Sequence, residues 1–490
     1  MSHFAAQCGV HTAQRQVDLV HTARLIEASG AELVRFTWCD LHGVLRSKTL
    51  VASAAVDGML GGVGMVSTVV LKDTSDRTAF KVFEPGGAAD LPGFEGASNL
   101  MLLVDPASYR PLPWAPKTAW LQGELWFPDG RPVALDTRRI LQQALQRLAA
   151  AGYGLNCGLE VELHIYRIED DTLDPEQAAW PGPAPRVSMI HPGYQLLGEA
   201  CVDRADAPLR IVQQTAQALG LPLRSLEVEF GPSQVEAVFD VTDALTAADN
   251  MVCFRNGVKQ ALQRAGYHAT FMCRPPFPNI MSSGWHLHQS LVVLDDGRNV
   301  FMRDAPAAGS KPLDAQYTLS AVGEHYLAGL LEHARGSAVF CTPTVNGYGR
   351  FQANALAPQS VLWGCDNRGA MLRVIGGSGD KATRIENRLG EPAANPYLYM
   401  ASQIHAGLDG IARQLTAPPA TESPYAVTGQ KLPTSLGEAL DAMVADDVLG
   451  QAFSPEFIHY LVQIKRSELA RFEAAQDKTE FQRREYFSRI

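Results

Sequence analysis

The chain has 490 residues, of which 46% are hydrophobic and 19% are charged, and its formal net charge is −10. A chain of this length can form two domains or one large one, and the composition is ordinary for a globular protein. The negative charge and the lack of any basic block argue against nucleic acid or an anionic membrane surface as a partner.

The sequence carries no recognisable targeting or membrane-spanning segment. No apolar run approaches the roughly 18 to 20 residues that a membrane span needs, and residues 1–15 lack the apolar centre of a signal peptide. The eight cysteines are dispersed and form no C-x-x-C pair. We therefore expect reduced thiols in a cytoplasmic protein.

The first predicted elements are a short helix over residues 17–28 and a hairpin over 33–49, with its turn at 40–43. Polar or Gly/Pro-rich stretches predict three surface loops further along the chain. These loops cover residues 84–99, 170–186 and 417–435, and helices follow the last of them.

The clearest predicted helix covers residues 136–152. Asp136 suits its N-cap, an apolar stripe runs along one face, and Gly152 suits the position just past its end. We place a domain boundary before this helix, after a proline-rich segment. The two predicted domains are 1–117 and 118–490.

Two predicted strands carry paired polar residues. Alternating apolar residues over 158–165 predict a strand in which Glu160 and Glu162 point to the same face. A second predicted strand places His286 and His288 on one face in the same way. Inward-facing carboxylates cost about several kcal/mol each unless a positive partner meets them. A divalent cation such as Mg²⁺ or Mn²⁺ is a suitable partner, because it prefers oxygen ligands and tolerates an imidazole.

Three more stretches place acids or arginines at tight spacing, and arginine suits phosphate and carboxylate binding. An amphipathic strand whose acids face water would explain any one of these pairs. Five such stretches in one chain favour a site for metal ions and a polyanion. The additional residues are Glu229 and Glu236 in 229–236, Arg350 in 346–350, and Arg384, Glu386 and Arg388 in 384–388.

These stretches and their neighbours form a series of motifs in a fixed order. The series is Arg35–Thr37 with Asp40–Gly43, Gly158–Glu162, Glu229–Glu236, Ser283–His288, Asn346–Arg350, Asp366–Arg373, Arg384–Arg388 and Pro392–Leu398. In content and order it resembles the motifs of the glutamine synthetase family, from about Val34 to the C-terminus. The resemblance implies an α+β fold with an N-terminal β-grasp domain and a catalytic domain built on a curved antiparallel sheet.

The resemblance also implies an assembly and a reaction. Family members form homo-oligomeric rings, usually a dodecamer of two stacked hexamers, with active sites between neighbouring subunits. They use ATP, two or three Mg²⁺ (or Mn²⁺) ions, glutamate and a small amine. The γ-carboxyl group of glutamate is phosphorylated to an acyl phosphate and then becomes an amide, while metals and arginines offset the charge of the transferring phosphoryl group.

The family's metal ligands match six residues of this sequence. The resemblance implies one metal near the amino acid and a second near the ATP phosphates. Glu162, Glu229 and Glu236 would bind the first, and Glu160, His286 and Glu386 the second. Glu227 is an alternative to Glu229, since both belong to the same strand face.

The resemblance assigns the remaining motif residues to substrate and nucleotide. Arg350 and Arg388, with Glu162, would bind glutamate. Arg368 and Arg373 would face the ATP phosphates. His288 would lie near the phosphoryl group, and Arg384 and Ser290 near the nucleotide. The implied catalytic residues are Arg368, Arg350 and His288.

Two positions depart from the family's ammonia-using pattern. An acid that binds ammonium and takes its proton is replaced by Leu356, and a second acid in an N-terminal loop is replaced by Val66. A cation needs a negative partner in a low-dielectric pocket. A pocket lined by Val66 and Leu356 therefore favours a primary monoamine other than ammonia, with a neutral aromatic amine such as aniline preferred.

Two alternatives remain open from the sequence. The first is an ammonia-using glutamine synthetase in which another residue supplies the acid. The second, from a different class, is a non-catalytic ring protein with a structural or regulatory role. The complete set of metal-ligand residues argues against the second alternative, because a protein without catalysis has little physical reason to direct so many acids into one cavity.

Overall fold

The structure is a computed structural model that describes residues 4–88, 90–352, 356–427 and 429–490. Two β-sheets form its framework, and helices pack around them. The predicted α+β class with an antiparallel catalytic sheet is confirmed. None of the helices in the described ranges is long and apolar enough to cross a membrane.

The smaller sheet has six strands in the order β2-β1-β6-β4-β3, with β5 paired to β6. Strands β1 and β6 are parallel, and the other pairs are antiparallel. The strands are β1 (Leu33–Cys39), β2 (Leu45–Val51), β3 (Val63–Val66), β4 (Asn99–Val104), β5 (Arg110–Pro111) and β6 (Thr118–Trp126).

The predicted hairpin over 33–49 is confirmed as the antiparallel pair β1–β2, in which Cys39 faces Leu45. Its turn closes with a hydrogen bond from the Gly43 amide to the Asp40 carbonyl, and Gly43 has φ 72°. A side chain is disfavoured there both by this backbone conformation and by the Arg255 guanidinium, which lies where a Cβ would sit.

The larger sheet has nine strands in the order β13-β14-β15-β12-β7-β10-β9, with β8 and β11 paired to the long strand β7. All pairs are antiparallel except β13–β14. The strands are β7 (Tyr153–Asp170), β8 (Arg186–Met189), β9 (Leu223–Val228), β10 (Gln234–Asp243), β11 (Tyr267–Thr270), β12 (Trp285–Val293), β13 (Trp363–Cys365), β14 (Leu372–Ile375) and β15 (Arg384–Asn387).

The helices surround this sheet, and α10 is buried along most of its length against α4, α6, α8 and α9. The helices are α1 (Phe4–Gln7), α2 (Ala13–Ala28), α3 (Ala52–Gly61), α4 (Thr137–Ala150), α5 (Glu199–Ala218), α6 (Ala244–Arg264), α7 (Ala315–Thr318), α8 (Ala321–Glu332), α9 (Ala334–Cys341), α10 (Pro396–Ala412), α11 (Leu436–Val444), α12 (Asp447–Phe453), α13 (Pro455–Ala474) and α14 (Lys478–Gln482).

The structure confirms the helix predicted over 136–152 and its N-cap. The Asp136 carboxylate accepts hydrogen bonds from the amides of Arg138 and Arg139, and also from the Leu125 amide in β6. This one side chain therefore caps α4 and connects it to the smaller sheet. The helix predicted over 17–28 is α2, which starts at residue 13, four residues earlier, because Thr12 caps it through the Arg15 amide.

The predicted division between residues 117 and 118 stays a proposal. Strand β6 begins at Thr118 and pairs in parallel with β1, so the smaller sheet continues past 117. We therefore favour a boundary in the connection between β6 and α4, after Trp126 and before Thr137. The three predicted loops contain no α-helix, and strands enter them only at their end residues, within the described ranges.

Candidate active site

Three rows of polar side chains cross one face of the larger sheet. Residues that are directly opposite in adjacent strands share a face, and so do residues two apart in one strand. Glu162 is opposite Glu236, which is opposite Glu227; Glu160 is opposite His286; and His288 is opposite Glu386, which is opposite Arg373. We call these eight residues the polar face.

Glu160 lies at the centre of the polar face and contacts both histidines. Its Oε2 is 3.4 Å from His286 Nδ1, and its Oε1 is 3.0 Å from His288 Nε2. Arg384 Nε donates to His288 Nδ1 at 3.0 Å. Because arginine is always a donor, His288 Nδ1 accepts this bond, and the other ring nitrogen, Nε2, faces Glu160. Burial raises the pKa of Glu160, but the two histidines lower it further, and the net pKa is far below the ordinary value.

The carboxylates of the first row lie close to other carboxylates. Burial, followed by the charge of Glu229, raises the pKa of Glu162 to about 7. Burial, followed by the charges of Glu162 and Glu160, raises the pKa of Glu236 to about 10. Burial also raises the pKa of Glu229. Like charges at this spacing cannot all ionise unless a cation compensates them.

These residues fit divalent cations. Within the described ranges, three sets of three potential ligand atoms lie within 4.8 Å of one another. The buried Nε2 of His286 has no hydrogen-bond partner in the described structure, which leaves this nitrogen available as a ligand. Mixed carboxylate and imidazole donors suit Mg²⁺ or Mn²⁺. The sets are Glu160–Glu236–His286, Glu160–His288–Glu386 and Glu227–Glu229–Glu236.

The predicted assignment of ligands to two metals stays a proposal, and the observed sets differ from it in detail. Glu227 joins Glu229 and Glu236, as the alternative from the sequence allowed. The carboxylate of Glu162 accepts hydrogen bonds from Gln234 Nε2 at 2.9 Å and from the Gly284 amide at 3.0 Å. Glu162 therefore lies beside the acid set in a fixed orientation.

Arginines surround Glu386, which is fully buried. Arg373 Nη1 donates to it at 3.0 Å, and Arg388 Nη1 donates to its other oxygen. Burial raises the pKa of Glu386, but His286 and Arg388 bring it below the ordinary value. Arg350 is also buried, and its Nη1 donates to the Arg388 carbonyl at 2.9 Å. The predicted substrate arginines Arg350 and Arg388 therefore lie together at the edge of the polar face.

A cleft of about 980 Å³ opens beside the polar face. Glu160, His288, Ser290 and Arg384 line it together, as expected for residues near a nucleotide. Its other walls are largely apolar, and a cleft with convergent polar groups is the usual form of a small-molecule site. The apolar part of the wall is formed by Leu159, Val238, Phe239, Val241, Val292 and Met302.

Three predicted site residues lie apart from this cleft. Arg368 is exposed and lines a smaller cavity of about 370 Å³ with Asp366 and Asn367. Val66 is 50% exposed at the end of β3, an edge strand of the smaller sheet, and Leu356 is 60% exposed. The stretch around Leu356 includes residues 353–355, which lie outside the described ranges.

The sequence reasoning missed two residues that organise the site. Gln234 donates to Glu162 and to the Ser283 hydroxyl, so it connects β10 to the segment before β12. At Gly284, a Cβ would lie 2.6 Å from Arg350 Nη2 and 3.1 Å from His286 Nε2. Both residues occur inside motifs of the sequence, and a polar residue between two acids was the available signal for Gln234.

Comparison with known proteins identifies the family of this chain. The glutamine synthetase catalytic-domain family matches residues 134–484. A gamma-glutamylanilide synthase of Acinetobacter sp is 39% identical over 480 residues, which cover 94% of this chain and 94% of the relative. A gamma-glutamylethanolamide synthetase of Streptomyces coelicolor is 31% identical over 95% of both chains. The chain belongs to the glutamine synthetase family.

Two further comparisons show the breadth of the likeness. A glutamine synthetase of Methanosarcina mazei is 31% identical, over 89% of this chain and 91% of the relative. Among solved structures, apo GmaS superposes with a TM-score of 0.75 at 28% identity, over 94% of this chain and 97% of GmaS. A complex of GmaS with ADP superposes equally well, with a TM-score of 0.75.

Proposed function

We propose that the chain is an ATP-dependent ligase that joins the γ-carboxyl group of glutamate to a primary amine other than ammonia. The preferred amine is an apolar or aromatic monoamine such as aniline. One observation carries the choice of amine: the segment that contacts the substrate arginine Arg388 presents Leu356, which has no charge to bind ammonium. The names of the anilide and ethanolamide relatives support a primary amine other than ammonia as the acceptor, and the anilide relative supports an aromatic one.

The proposed reaction starts when ATP phosphorylates the glutamate γ-carboxyl group to give γ-glutamyl phosphate. Two or three Mg²⁺ or Mn²⁺ ions, bound by the polar face and Glu229, would offset the charge of the phosphates when present. Arg350 and Arg388 would bind glutamate carboxylates through their N–H groups. Arg373 already donates to Glu386, which places its charge next to the proposed metal ligands.

The amine then attacks the acyl carbon, the bond from this carbon to the phosphate oxygen breaks, and the amine nitrogen gives up one proton to the departing phosphate. A neutral aromatic amine has its nitrogen lone pair free at neutral pH and needs no acid for binding. Ammonium would have to lose a proton first, and a pocket formed by leucine and valine provides neither a counter-charge nor a base. His288, Ser290 and Arg384 would contact the nucleotide, and Arg368 would have to move toward the phosphates from its exposed position.

We further propose the ring assembly that the family resemblance implies, a dodecamer of two hexamers. Val66 lies on the smaller sheet and Leu356 on the catalytic part, and both are half exposed or more. A neighbouring subunit's smaller sheet would bring its Val66 to the amine pocket of this chain. Burying these two exposed side chains against each other would stabilise the contact.

The first test measures phosphate release from ATP with glutamate and Mg²⁺, in parallel assays with ammonium, ethylamine, putrescine and aniline. We expect aniline or ethylamine to stimulate release at least about tenfold more than ammonium in kcat/KM, a difference of about 1.4 kcal/mol. Putrescine should be poor, because its distal charge would have no acid. Preferential stimulation by ammonium would instead identify a glutamine synthetase, and no stimulation would favour a non-catalytic protein.

The second test addresses the shared site by mixing two inactive variants in the same rings. Glu160→Gln removes a proposed metal ligand, and Val66→Asp places a charge in the proposed amine pocket. Mixed rings contain sites with an intact catalytic part from one subunit and an intact Val66 from the other. We expect aniline-dependent activity to recover in the mixture, and activity no greater than the sum of the two separate variants would contradict the shared site.

A further inference from the structure

Two segments that carry proposed substrate residues meet at the side chain of Tyr425. Its hydroxyl donates a hydrogen bond to the Ala357 carbonyl at 3.4 Å, next to Leu356 in the chain. From the other side, Arg388 Nη2 donates to the Leu356 carbonyl at 3.4 Å. The Leu356–Ala357 segment is therefore held between a glutamate-binding arginine and a tyrosine that lies about seventy residues away in the sequence.

The ring of Tyr425 also packs on the turn that carries Arg368. A Cβ on Gly369 would lie 2.7 Å from Pro424 Cγ and 3.1 Å from Tyr425 Cε2. The Pro424–Tyr425 pair thus rests directly on the Gly369 backbone, at a distance that a larger residue would disturb. Tyr425 consequently touches the turn of a phosphate-binding residue and the segment of an amine-pocket residue at the same time.

The hydroxyl of Tyr425 also lies within electrostatic reach of the substrate arginines. Burial raises the pKa of its hydroxyl, and the charges of Arg388 and Arg350 partly oppose this increase. The side chain is only partly buried, so one part of the ring stays accessible. An accessible aromatic ring next to Leu356 and the arginines is positioned to contact a group that reacts with glutamate.

We propose that Tyr425 is a specificity-determining residue that forms the aromatic wall of the amine pocket, next to Leu356. The inference rests on the proposed function and names a substrate class, an amine with a flat apolar or aromatic group. Such a group gains edge-to-face or offset-stacked contact with the ring beyond simple burial. Arg368, on one adjoining segment, and Arg388, which donates a hydrogen bond to the other, would keep the ring close to the acyl carbon.

Three variants test the hydroxyl group, the aromaticity and the position of Tyr425 one at a time. Tyr425→Phe keeps the ring, Tyr425→Leu keeps apolar bulk without aromaticity, and Gly369→Ala pushes Pro424 and Tyr425 away from the turn. The measurement is KM and kcat for aniline and for ethylamine in the phosphate-release assay. Tyr109→Leu is the matched control, because Tyr109 is a partly buried tyrosine with a single hydrogen bond to Ser29 on the smaller domain.

We expect Tyr425→Leu to raise the aniline KM roughly three- to tenfold relative to the ethylamine KM, with little change in kcat. Tyr425→Phe should retain the wild-type ratio of the aniline KM to the ethylamine KM. Gly369→Ala should raise this ratio, as Tyr425→Leu does. Tyr109→Leu should leave the ratio unchanged.

Two outcomes would overturn the inference, and they can be told apart from failure of the proposed function. If the wild type is active on aniline and Tyr425→Leu leaves the ratio of the aniline KM to the ethylamine KM unchanged, the role of Tyr425 is overturned and the proposed function is not. An equal loss with both amines in kcat would make Tyr425 a structural residue and also overturn the inference. A wild type that responds only to ammonium would overturn the proposed function and this inference with it.

Discussion

Two buried polar clusters of this molecule differ in how their side chains are satisfied. On the polar face, Glu162 and Glu236 have raised pKa values, and the buried His286 Nε2 has no partner in the described structure. In the second cluster, which we call the His333 cluster, Nδ1 of the ring is 2.8 Å from Asp446 and Nε2 is 2.9 Å from Asp409.

This difference in hydrogen bonding and charge pairing distinguishes a binding site, the polar face, from a structural contact, the His333 cluster. Buried polar groups are costly unless they are hydrogen-bonded or paired, so a native cluster without partners is a position for a ligand. The His333 cluster supplies its own compensation within the chain and needs nothing else. The polar face does so around Glu160 and Glu386, whereas Glu162 and Glu236 lie among other carboxylates, where divalent cations would compensate them.

The strongest test of this comparison removes the central carboxylate of the polar face. Glu160→Gln should lower glutamate-dependent phosphate release by at least about a hundredfold, because Glu160 belongs to two of the three ligand sets. The matched control is Glu169→Gln, since Glu169 is exposed on the same strand β7. A variant that retains more than a tenth of the wild-type rate would show that the polar face is not the metal site.

The amine side of the site can be tested by restoring the charge that the family's ammonia-using pattern contains. Leu356→Glu should raise kcat/KM for ammonium relative to aniline by about tenfold, because a carboxylate there binds the cation and accepts its proton. Leu356→Gln is the control of equal size without charge, and it should change the ratio little. Equal effects of Glu and Gln in assays of both amines would contradict an electrostatic role for this position.

The local part of the polar face was predictable from the sequence. The alternation around Glu160 and Glu162, and around His286 and His288, specifies which side chains share a face, because side-chain direction in a strand follows from position alone. The cap at Asp136 was also predictable, because capping depends on the residue type at the start of a helix. The grouping of the motifs into one site came from the family resemblance.

The relations between distant strands were not predictable. The position of Glu227 opposite Glu236 depends on the register of β9 with β10, and register is fixed by pairing and packing beyond the motif. The bonds from Gln234 and Gly284 to Glu162 depend on how three strands meet. The exposed position of Arg368 and the contact of Tyr425 with Ala357 depend on loops, whose conformation follows from tertiary contacts.

A stability measurement tests the difference between the polar face and the His333 cluster without relying on activity. The folded-state pKa of Glu236 is about 10, above the unfolded value of about 4.3. The folded state thus holds a proton that the unfolded state releases, and the metal-free wild type loses stability as the pH rises between these values. Glu236→Gln removes the contribution of Glu236 to this loss, so with EDTA at pH 8 its thermal midpoint should exceed that of the wild type by a few degrees.

A divalent metal should reverse the order of the thermal midpoints of the wild type and Glu236→Gln. Added Mn²⁺ should raise the midpoint of the wild type more than that of Glu236→Gln, because the variant lacks one ligand and binds the ion less tightly. Glu169→Gln should behave like the wild type in both conditions. A midpoint of the wild type that does not respond to Mn²⁺ or Mg²⁺ would argue that the acids of the polar face are compensated in another way.

The smallest expected effect belongs to the His333 cluster. Burial lowers the pKa of His333, but Asp446 and Asp409 raise it further, so its net pKa lies above the ordinary value. The protonated ring stabilises the fold fully below the unfolded pKa of about 6.5, and this stabilisation is lost as the pH rises through the folded pKa. His333→Gln should therefore cost about 1.5 to 3 kcal/mol at pH 6, the range for hydrogen bonds to charged groups, and less at pH 9.5.

Denaturant unfolding of the metal-free protein at the two pH values measures this difference. His459→Gln is the control, because His459 is 46% exposed in its side chain and lies 3.6 Å from Asp90 at the surface, where such pairs contribute little. A cost of His333→Gln that stays constant from pH 6 to pH 9.5 would show that the charge of the ring does not contribute to stability. A neutral ring has one N–H and can donate to only one of the two aspartates. The His333 cluster would then not supply its own compensation, and the contrast with the polar face would fail.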